Sequence, residues 1–240
     1  MLMNFILELK NYLFAVFVGA KHQFKRHYLI FFCILPIIAI FGAFSFFPYD
    51  ISISSKFENS KQSYRETYEI MKKISKLGGY NGAIIICFLA ILGGKLSSNR
   101  RLMIGGVAGF LGASAAGLLN NTIKLSGRPR PDARIELQLD DKFYGIKLNK
   151  KNLPNSDFLS FPSGHSATIF GAVTGIAVTY PLFLIISIPV ALPVVFSRIY
   201  ILDHYPSDVF VGSIIGIYFG LLFGLSAIQY FNIIIKNDRG

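Results

Sequence analysis

Two short segments of the sequence place a histidine among residues that bind phosphate. The first, PSGH, spans residues 162–165, and the second, SRIYILDHYPSD, spans residues 197–208. An imidazole has an unperturbed pKa of about 6.5, so it can act as a nucleophile or as a proton donor near neutral pH. His165 and His204 are therefore candidates for the two chemical roles that transfer of a phosphoryl group requires.

A third segment, KLSGRPRPD at residues 124–132, adds positive charge. Guanidinium groups bind phosphate oxygens through paired hydrogen bonds, and backbone N–H groups at the start of a helix add a fixed positive field. The three segments together hold six residues of these kinds. They are the cations Lys124, Arg128, Arg130 and Arg198, with Ser163 and Gly164 as hydroxyl and backbone donors. These six residues are predicted to bind a tetrahedral phosphate, because phosphoryl transfer depends mainly on positioning and charge stabilisation.

Asp208 follows His204 by four residues, which places it one helical turn away or across a tight turn. Its carboxylate is predicted to hold one ring N–H of His204 and to leave the other ring nitrogen free to attack phosphorus. His165 is then the acid that protonates the departing oxygen. Outside these segments the sequence has no cluster of Asp, Glu, His or Cys with the spacing of metal ligands, so neither a metal nor another cofactor is expected.

Each segment also has an ordinary structural interpretation. Arginines beside a bilayer bind lipid headgroups, Gly-Arg-Pro is a turn, and Ser163 can cap a helix. For a single segment these interpretations carry as much weight as a site. All three segments together, on one membrane face, favour the site.

The composition is that of a membrane protein, with a mean hydropathy of +0.51 and 52% hydrophobic residues. Six apolar stretches approach the roughly 20 residues that a transmembrane helix needs. They run over residues 28–47, 80–94, 102–119, 165–180, 182–196 and 209–231, and Pro189 and Pro193 are expected to kink or break the fifth. Every stretch is predicted to be helical, because lipid leaves no solvent for an unpaired backbone. The expected fold is an all-α integral membrane bundle of six transmembrane helices in residues 28–240, preceded by an N-terminal interfacial helix in residues 1–27.

The basic residues flank these stretches. By the positive-inside rule, the N-terminal segment and the short loop at residues 95–101 are expected to be cytoplasmic, which places the three phosphate-binding segments on the outer face. Lys72, Lys73 and Lys76 would then also lie outside, which counts against this orientation. The charge distribution thus predicts a multi-pass membrane protein whose site lies on the outer face.

The net charge of +11 does not indicate nucleic acid, because no DNA-reading or RNA-reading motif lies among the basic residues. Membrane phosphate groups are the expected partners. His22 and His27 lie in the basic N-terminal stretch and are predicted to be interfacial residues rather than catalysts.

The segment from Ser63 to Leu77 is predicted to form an amphipathic helix on the outer surface of the membrane. Its apolar residues recur at helical spacing, Ser63 and Glu66 resemble a capping box, and Gly78 and Gly79 can end the helix.

The phosphate-binding segments resemble the signature of the type 2 phosphatidic acid phosphatase superfamily, which also includes vanadium-dependent haloperoxidases. That signature reads K-x6-R-P, then P-S-G-H, then S-R-x5-H-x3-D. Residues 162–165 match the second motif. The third motif is matched at its full spacing by Ser197, Arg198, His204 and Asp208.

The first motif departs from the signature, because Lys124 stands six residues before Arg130 where seven is usual, and Ile123 occupies the lysine position. Either the helix end is adjusted so that Lys124 still reaches the phosphate, or Arg128 shares the task. The resemblance implies a bundle of six transmembrane helices with a metal-free site at the outer face. It also implies that His204 forms a phosphohistidine, that Asp208 orients it, that His165 protonates the leaving group, and that phosphate is bound by Lys124, Arg130, Ser163, Gly164 and Arg198.

The activity that the resemblance implies is hydrolysis of a phosphate or diphosphate of a membrane lipid. The family offers lipid A, undecaprenyl diphosphate and phosphatidylglycerol phosphate as bacterial substrates. The long loop at residues 133–158 mixes cations with aromatic residues and favours lipid A, the bulky anionic glycolipid of lipopolysaccharide, although it can equally be a solvated connection. Two alternatives stay open: a phosphotransferase that uses the same intermediate, and a transport or lipid-binding protein without chemistry. A haloperoxidase is not expected, since those relatives are soluble.

Overall fold

The computed structural model of the protein describes residues 2–149 and 154–237. Within these residues the regular structure is helical, apart from one antiparallel bridge between Leu148 and Pro154, so the expected all-α class is confirmed. The α-helices of this part of the chain are α1 Leu2–Arg26, α2 Leu35–Ser55, α3 Ser60–Ser63, α4 Arg65–Leu77, α5 Tyr80–Leu96, α6 Arg100–Ile123, α7 Pro131–Glu136, α8 Gly164–Thr179, α9 Leu184–Tyr200 and α10 Pro206–Asn237. A π-helical turn at Leu29–Ile34 leads into α2, and 3₁₀ turns lie at Lys124–Ser126, Ser156–Phe158 and Pro181–Phe183.

Four segments of the described chain are long and apolar enough to cross a membrane: Leu29–Ser63, Arg100–Glu136, Pro181–Tyr200 and Pro206–Ile233. A fifth arises if α4 and α5, which meet at 58°, form one broken span. Helix α8 has 16 residues. It is therefore about 24 Å long at 1.5 Å per residue, which is shorter than the hydrocarbon core of roughly 30 Å. Each predicted stretch contains a helix, but the predicted count of six spans is not confirmed.

Large apolar side chains cover the outside of the bundle. Phe41 and Phe44 on α2 are 73% and 74% exposed, and Ile185 and Ile186 on α9 are 71% and 68% exposed. A contiguous apolar surface of this kind is unfavourable in water but matches the hydrocarbon of a bilayer. The exposed faces of α2 and α9 therefore identify the surface that contacts lipid.

Helix α8 lies at the centre of the bundle, packed against both α6 and α10. The close contact depends on glycines, because a Cβ atom at Gly171 of α8 would lie 2.8 Å from the carbonyl oxygen of Gly112 on α6. A Cβ atom at Gly175 would likewise lie 2.6 Å from the backbone nitrogen of Gly109. In lipid the hydrophobic effect does not drive helices together. The close approach of the two backbones therefore provides the main van der Waals attraction between these helices.

Two local expectations are corrected by the structure. Helix α9 continues through Pro189 and Pro193, so the expected break is absent, while the kink that was the other expected outcome stays a prediction. Helix α4 begins at Arg65, with Tyr64 as its N-cap residue and no side-chain capping bond, so the predicted capping box of Ser63 is wrong. The reason is that residues 60–63 form the separate turn of helix α3, and Tyr64 joins the two helices with φ −133° and ψ 53°. Gly78 is the C-cap residue of α4, as predicted.

Helix α1 packs along α10. Its residues Tyr12, Val16 and Ala20 are buried, and the hydroxyl of Ser226 on α10 donates a hydrogen bond of 2.7 Å to the Val16 carbonyl. The interfacial placement of residues 1–27, and the division of the chain after them, stay predictions.

Replacement of Gly171 by alanine tests the glycine contact. The added methyl group would meet the carbonyl carbon and oxygen of Gly112 at 2.8 Å and the Cα of Ala113 at 2.9 Å. We expect overpacking to lower the free energy of unfolding by about 1–3 kcal/mol, as measured by denaturant unfolding in detergent micelles. The matched control is Gly93→Ala, whose Cβ atom meets nothing closer than 3.9 Å. Equal stability of the two variants would contradict the packing argument.

Candidate active site

The ends of α6, α8 and α10 meet at one end of the bundle and bring the three sequence segments together. Lys124 directly follows α6, His165 lies in the first turn of α8, and Asp208 lies in the first turn of α10. The backbone nitrogen of Ser163 donates a 2.9 Å hydrogen bond to the Asp208 carbonyl. A Cβ atom built on Gly164 would lie 3.7 Å from the Lys124 amine nitrogen. Lys124 therefore reaches the start of α8 despite its displaced position in the sequence.

Arg130 and Arg198 are held side by side by one carboxylate. Asp203 accepts a hydrogen bond of 2.6 Å from Arg130 and forms an ion pair with Arg198, whose nearest nitrogen is 2.5 Å from its other oxygen. Arg198 also donates to the hydroxyl of Ser75 on α4. The Nε atoms of both arginines are buried and have no protein acceptor. An unsatisfied buried donor is costly, so these two N–H groups are available to an anionic ligand.

His204 lies between α9 and α10, is 1% exposed, and has no hydrogen-bond partner at its Nδ1 atom. Burial, with the nearby positive charges of Lys124, Arg198 and Arg130, holds its pKa well below the usual value for histidine. The ring is therefore neutral at neutral pH, which leaves a nitrogen lone pair available for attack on phosphorus.

Asp208 does not form the predicted hydrogen bond with His204. The nearest atoms, Oδ2 of Asp208 and Nδ1 of His204, are 3.7 Å apart. The carboxylate instead accepts hydrogen bonds from Arg128 at 2.7 Å, from the Ser160 hydroxyl at 2.5 Å and from the Tyr205 backbone nitrogen at 2.9 Å. These donors compete with the imidazole for the same two oxygens, and only a small movement would bring the ring within bonding distance.

Arg128 lies outside the group of residues that could touch a phosphate, contrary to the expectation that it shares this task. Its side chain is fully buried, and it is paired with three carboxylates, at 2.7 Å from Asp208 and 2.9 Å from Asp50 and Asp141. The physical reason is that a buried guanidinium must be neutralised by acceptors, and these acceptors use the groups that a phosphate would need.

His165 faces the junction of α4 and α5. A Cβ atom at Gly79 would lie 3.1 Å from its Nε2 atom. A cavity of about 420 Å³ lies beside it, lined by α5, α6 and α8 and including Lys124 and Gly164. Leu118, which is 73% exposed, forms part of the rim, so the cavity reaches the lipid-facing surface.

Ser163 caps helix α8, as its structural interpretation suggested. Its hydroxyl accepts hydrogen bonds from the Ser166 backbone nitrogen at 3.5 Å and from the Ser166 hydroxyl at 3.0 Å. The side chain is fully buried. The predicted contacts of Ser163 and Gly164 with phosphate stay predictions.

The sequence reasoning missed three polar residues of the site: Ser75, Asp203 and Asp50. Asp203 is the only acidic residue between Arg198 and His204, which is a signal that could have identified it. Asp50 follows an apolar run, and an ionisable residue in such a place is by default a functional candidate. Ser75 carries no such signal, because only the packing of α4 brings it to Arg198.

The fold and this site define a class: a multi-pass helical membrane protein with a cluster of cations and histidines at one end of its bundle. Residues 106–231 match the family model of the PAP2 superfamily, and the chain belongs to that superfamily of phosphatases. Two curated relatives, both called lipid A 1-phosphatase, are 36% identical (Rhizobium johnstonii) and 35% identical (Rhizobium etli) over 108 residues. These matches cover 45% of this chain and 41% and 44% of the relatives, so the chain spans less than half of their length.

A solved structure has the same fold. It is described as the first transmembrane PAP2 type phosphatidylglycerolphosphate phosphatase, from Bacillus subtilis, and it is 22% identical to this chain. The match has a TM-score of 0.57 and covers 84% of this chain and 95% of the solved one. At this level of identity the likeness concerns the fold alone.

The titration of His204 can be measured directly. We expect the imidazole signal that is lost in His204→Ala to remain that of a neutral ring as the pH falls through the range in which an ordinary histidine becomes protonated, because burial and the surrounding cations lower its pKa. The measurement is NMR of the ligand-free protein labelled with ¹³C-histidine, in micelles. A His204 signal that titrates at or above the usual value for histidine would contradict the electrostatic description of the site.

Gly164→Ala tests whether the space in front of Lys124 receives a phosphate. The new methyl group would meet Asn120 at 3.4 Å and Lys124 at 3.7 Å, which are ordinary contacts, so the variant should fold normally. We expect its affinity for inorganic phosphate, measured by calorimetry, to fall about tenfold, or about 1.4 kcal/mol. The control is again Gly93→Ala, and unchanged affinity in Gly164→Ala would place the phosphate elsewhere.

Proposed function

We propose that this chain is a phosphatase that hydrolyses a phosphate or diphosphate of an envelope lipid, with lipid A favoured, through a phosphohistidine intermediate and without a metal. The observation that carries the proposal is the arrangement of Arg130, Arg198 and His204. Both guanidinium groups keep a buried Nε donor without a protein acceptor, and the imidazole that they influence is held neutral. A phosphate monoester supplies acceptors for both donors and a phosphorus atom for the imidazole.

In the first step a ring nitrogen of His204 attacks phosphorus, and the N–P bond forms as the bond from phosphorus to the lipid oxygen breaks. Lys124, Arg130 and Arg198 stabilise the charge on the phosphoryl oxygens. His165 gives its proton to the departing oxygen, so the lipid leaves as an alcohol, or as a monophosphate if the substrate is a diphosphate.

In the second step water attacks the phosphorus of phosphohistidine. His165 accepts the proton of the water, the N–P bond breaks, and inorganic phosphate leaves with His204 restored to its neutral form. The Asp208 carboxylate, 3.7 Å from the ring, is close enough to stabilise the positive charge that the imidazole carries while it is phosphorylated.

Two features support a lipid as the substrate. The cavity that Lys124, Gly164 and His165 line reaches the lipid-facing surface at Leu118, so a headgroup can enter from the bilayer. Lipid A is favoured because two relatives that match this chain over 108 residues carry the name lipid A 1-phosphatase. The loop at residues 137–149 adds the exposed cations Lys142 and Lys147, which suit a headgroup with more than one negative charge.

The proposal includes a topology of six spans, formed by α2, α5, α6, α8, α9 and α10, in the bacterial inner membrane. Helix α8 can be short because α6 and α10 surround it, so little of its length has to match the thickness of the bilayer. Arg100 and Arg101 start α6 at its other end and are cytoplasmic by the positive-inside rule, so the site faces the periplasm.

The test is phosphate release by the detergent-purified protein from lipid A, undecaprenyl diphosphate, phosphatidylglycerol phosphate and phosphatidic acid, each in the presence of EDTA. We expect release from lipid A that EDTA does not reduce. Acid quenching with ³²P-labelled substrate should trap an acid-labile phosphoprotein, and His204→Ala should lose both the trapped label and turnover. Replacement of the nucleophile should lower turnover by at least about 10⁴-fold.

Arg101→Met is the control, because Arg101 lies at the opposite end of α6 and stacks on Phe231. Its turnover should equal that of the wild type. Inhibition by EDTA would contradict the metal-free mechanism, and label that appears in a second lipid would identify a phosphotransferase. If another lipid in the panel is hydrolysed instead, that lipid replaces lipid A as the proposed substrate. If His204→Ala functions normally, the protein is a lipid-binding or transport protein rather than an enzyme.

A further inference from the structure

Arg128 is the largest side chain that is fully buried in the described part of the protein. All five of its N–H groups are used. Nε and one terminal nitrogen form a pair of bonds to Asp141, at 3.1 and 2.9 Å, and that terminal nitrogen also donates to Asp50 at 2.9 Å. The other terminal nitrogen donates to Asp208 at 2.7 Å and to the Ser207 hydroxyl at 2.8 Å. No donor of this guanidinium is left for a substrate.

Two aromatic rings fix the orientation of the same guanidinium group. The centroid of the Tyr205 ring lies 4.1 Å from the guanidinium carbon, and that of the Phe47 ring lies 4.4 Å from it. A planar cation is attracted to the face of an aromatic ring, and a point charge such as lysine cannot keep both the stacking and the paired bonds. The direction in which Arg128 presents its N–H groups is therefore determined by its surroundings.

Asp208 receives its orientation from this arginine. Its Oδ1 atom accepts from Arg128, while Oδ2 accepts from Ser160 and from the Tyr205 backbone and faces Nδ1 of His204 at 3.7 Å. Asp208 is itself fully buried. A hydrogen bond from a guanidinium to a carboxylate is stronger than one from a hydroxyl or an amide, so Arg128 contributes most to the orientation of Asp208.

We infer that Arg128 is a positioning residue of this phosphatase, which acts on the nucleophile His204 through Asp208 and does not touch the phosphate. The inference rests on the proposed function. Arg128 holds the Asp208 carboxylate fixed beside the ring, where the carboxylate stabilises the positive charge that develops on the imidazole as the N–P bond forms. This role differs from that of Arg130 and Arg198, which keep donors free for the phosphate.

The same arginine joins the first long apolar helix to the site. Asp50, near the end of α2, accepts from Arg128 and also from the backbone nitrogen of Ser207 at 2.9 Å, in the first turn of α10. A carboxylate at this position satisfies a free N–H group of the helix and interacts favourably with the helix dipole. The geometry of His204 therefore depends on α2, which lies outside the matched residues 106–231.

The experiment compares Arg128→Met and Arg128→Lys with Arg198→Lys, and uses Arg101→Met as the control for the loss of an arginine. Three quantities are measured: the turnover number and KM for the lipid substrate, the Kd for inorganic phosphate, and the ¹³C-histidine signals of His204. We expect Arg128→Met to lower the turnover number on the order of 10²-fold and to shift the His204 signals, while the Kd for phosphate changes less than about threefold. Arg128→Lys should lie between Arg128→Met and the wild type, and Arg198→Lys should weaken phosphate binding by about tenfold.

Asp141→Asn keeps the inference testable if the Arg128 variants fail to fold. It removes one charged partner of the guanidinium at a partly exposed position and leaves Asp208 and His204 untouched. We expect a fall in the turnover number and a shift of the His204 signals, both smaller than in Arg128→Met, with unchanged phosphate affinity.

Two results would overturn the inference. A loss of phosphate affinity in the Arg128 variants equal to that in Arg198→Lys would make Arg128 a ligand of the phosphate. His204 signals and a turnover number equal to those of the wild type would make it a purely structural residue. If the wild-type protein releases phosphate from no lipid, the proposed function fails, and the His204 signals and phosphate affinity of the same variants still decide whether Arg128 positions His204.

Discussion

Close contact between the backbones of α6, α8 and α10 fixes the helix ends at which Lys124, His165 and Asp208 lie. Glycines at the contacts let α8 approach α6 so closely that a single methyl group at Gly171 would overlap the backbone of Gly112. Lys124, His165 and Asp208 stand at the adjacent ends of these three helices. In a bilayer, where burial of apolar surface gives little drive between helices, this contact replaces the hydrophobic core of a soluble enzyme. The loops at the site can therefore have irregular structure while the side chains at these helix ends keep their positions.

The cations of the site fall into two groups that differ in how their charge is balanced. Arg128 is surrounded by the carboxylates of Asp50, Asp141 and Asp208, and all its donors are used. Arg130 and Arg198 share the single carboxylate of Asp203 and keep buried Nε donors without acceptors. Excess negative charge thus surrounds the first arginine and excess positive charge remains near His204. This difference in charge balance is the basis of the proposal that Arg130 and Arg198 bind the phosphate while Arg128 positions Asp208.

Much of the fold and of the site could be predicted from the sequence. The apolar stretches predicted helices that the structure contains. The three motif segments lie at one end of the bundle, while the roles of His165, Arg198, His204 and Asp208 stay predictions. The number of spans could not be predicted, because α8 has only 16 residues. It packs between α6 and α10, so its length does not have to equal the thickness of the bilayer. The start of α4 and the continuity of α9 also depend on packing. Packing overrides the capping preference of Ser63 at α4 and the tendency of proline to break α9.

The sequence by itself determined the chemistry that the protein can perform, because residue types and their spacing within a segment are local properties. Two histidines, a pair of arginine-containing segments and a Ser-Gly helix start predict a phosphate site. The tertiary structure alone decided which arginine is free to bind. Arg128 and Arg130 are two residues apart and chemically identical, yet Asp50 from α2 and Asp141 from the long loop neutralise only Arg128. Charges compensate one another through space between parts of the chain that are distant in sequence, so the residues next to Arg128 and Arg130 do not predict which arginine is neutralised.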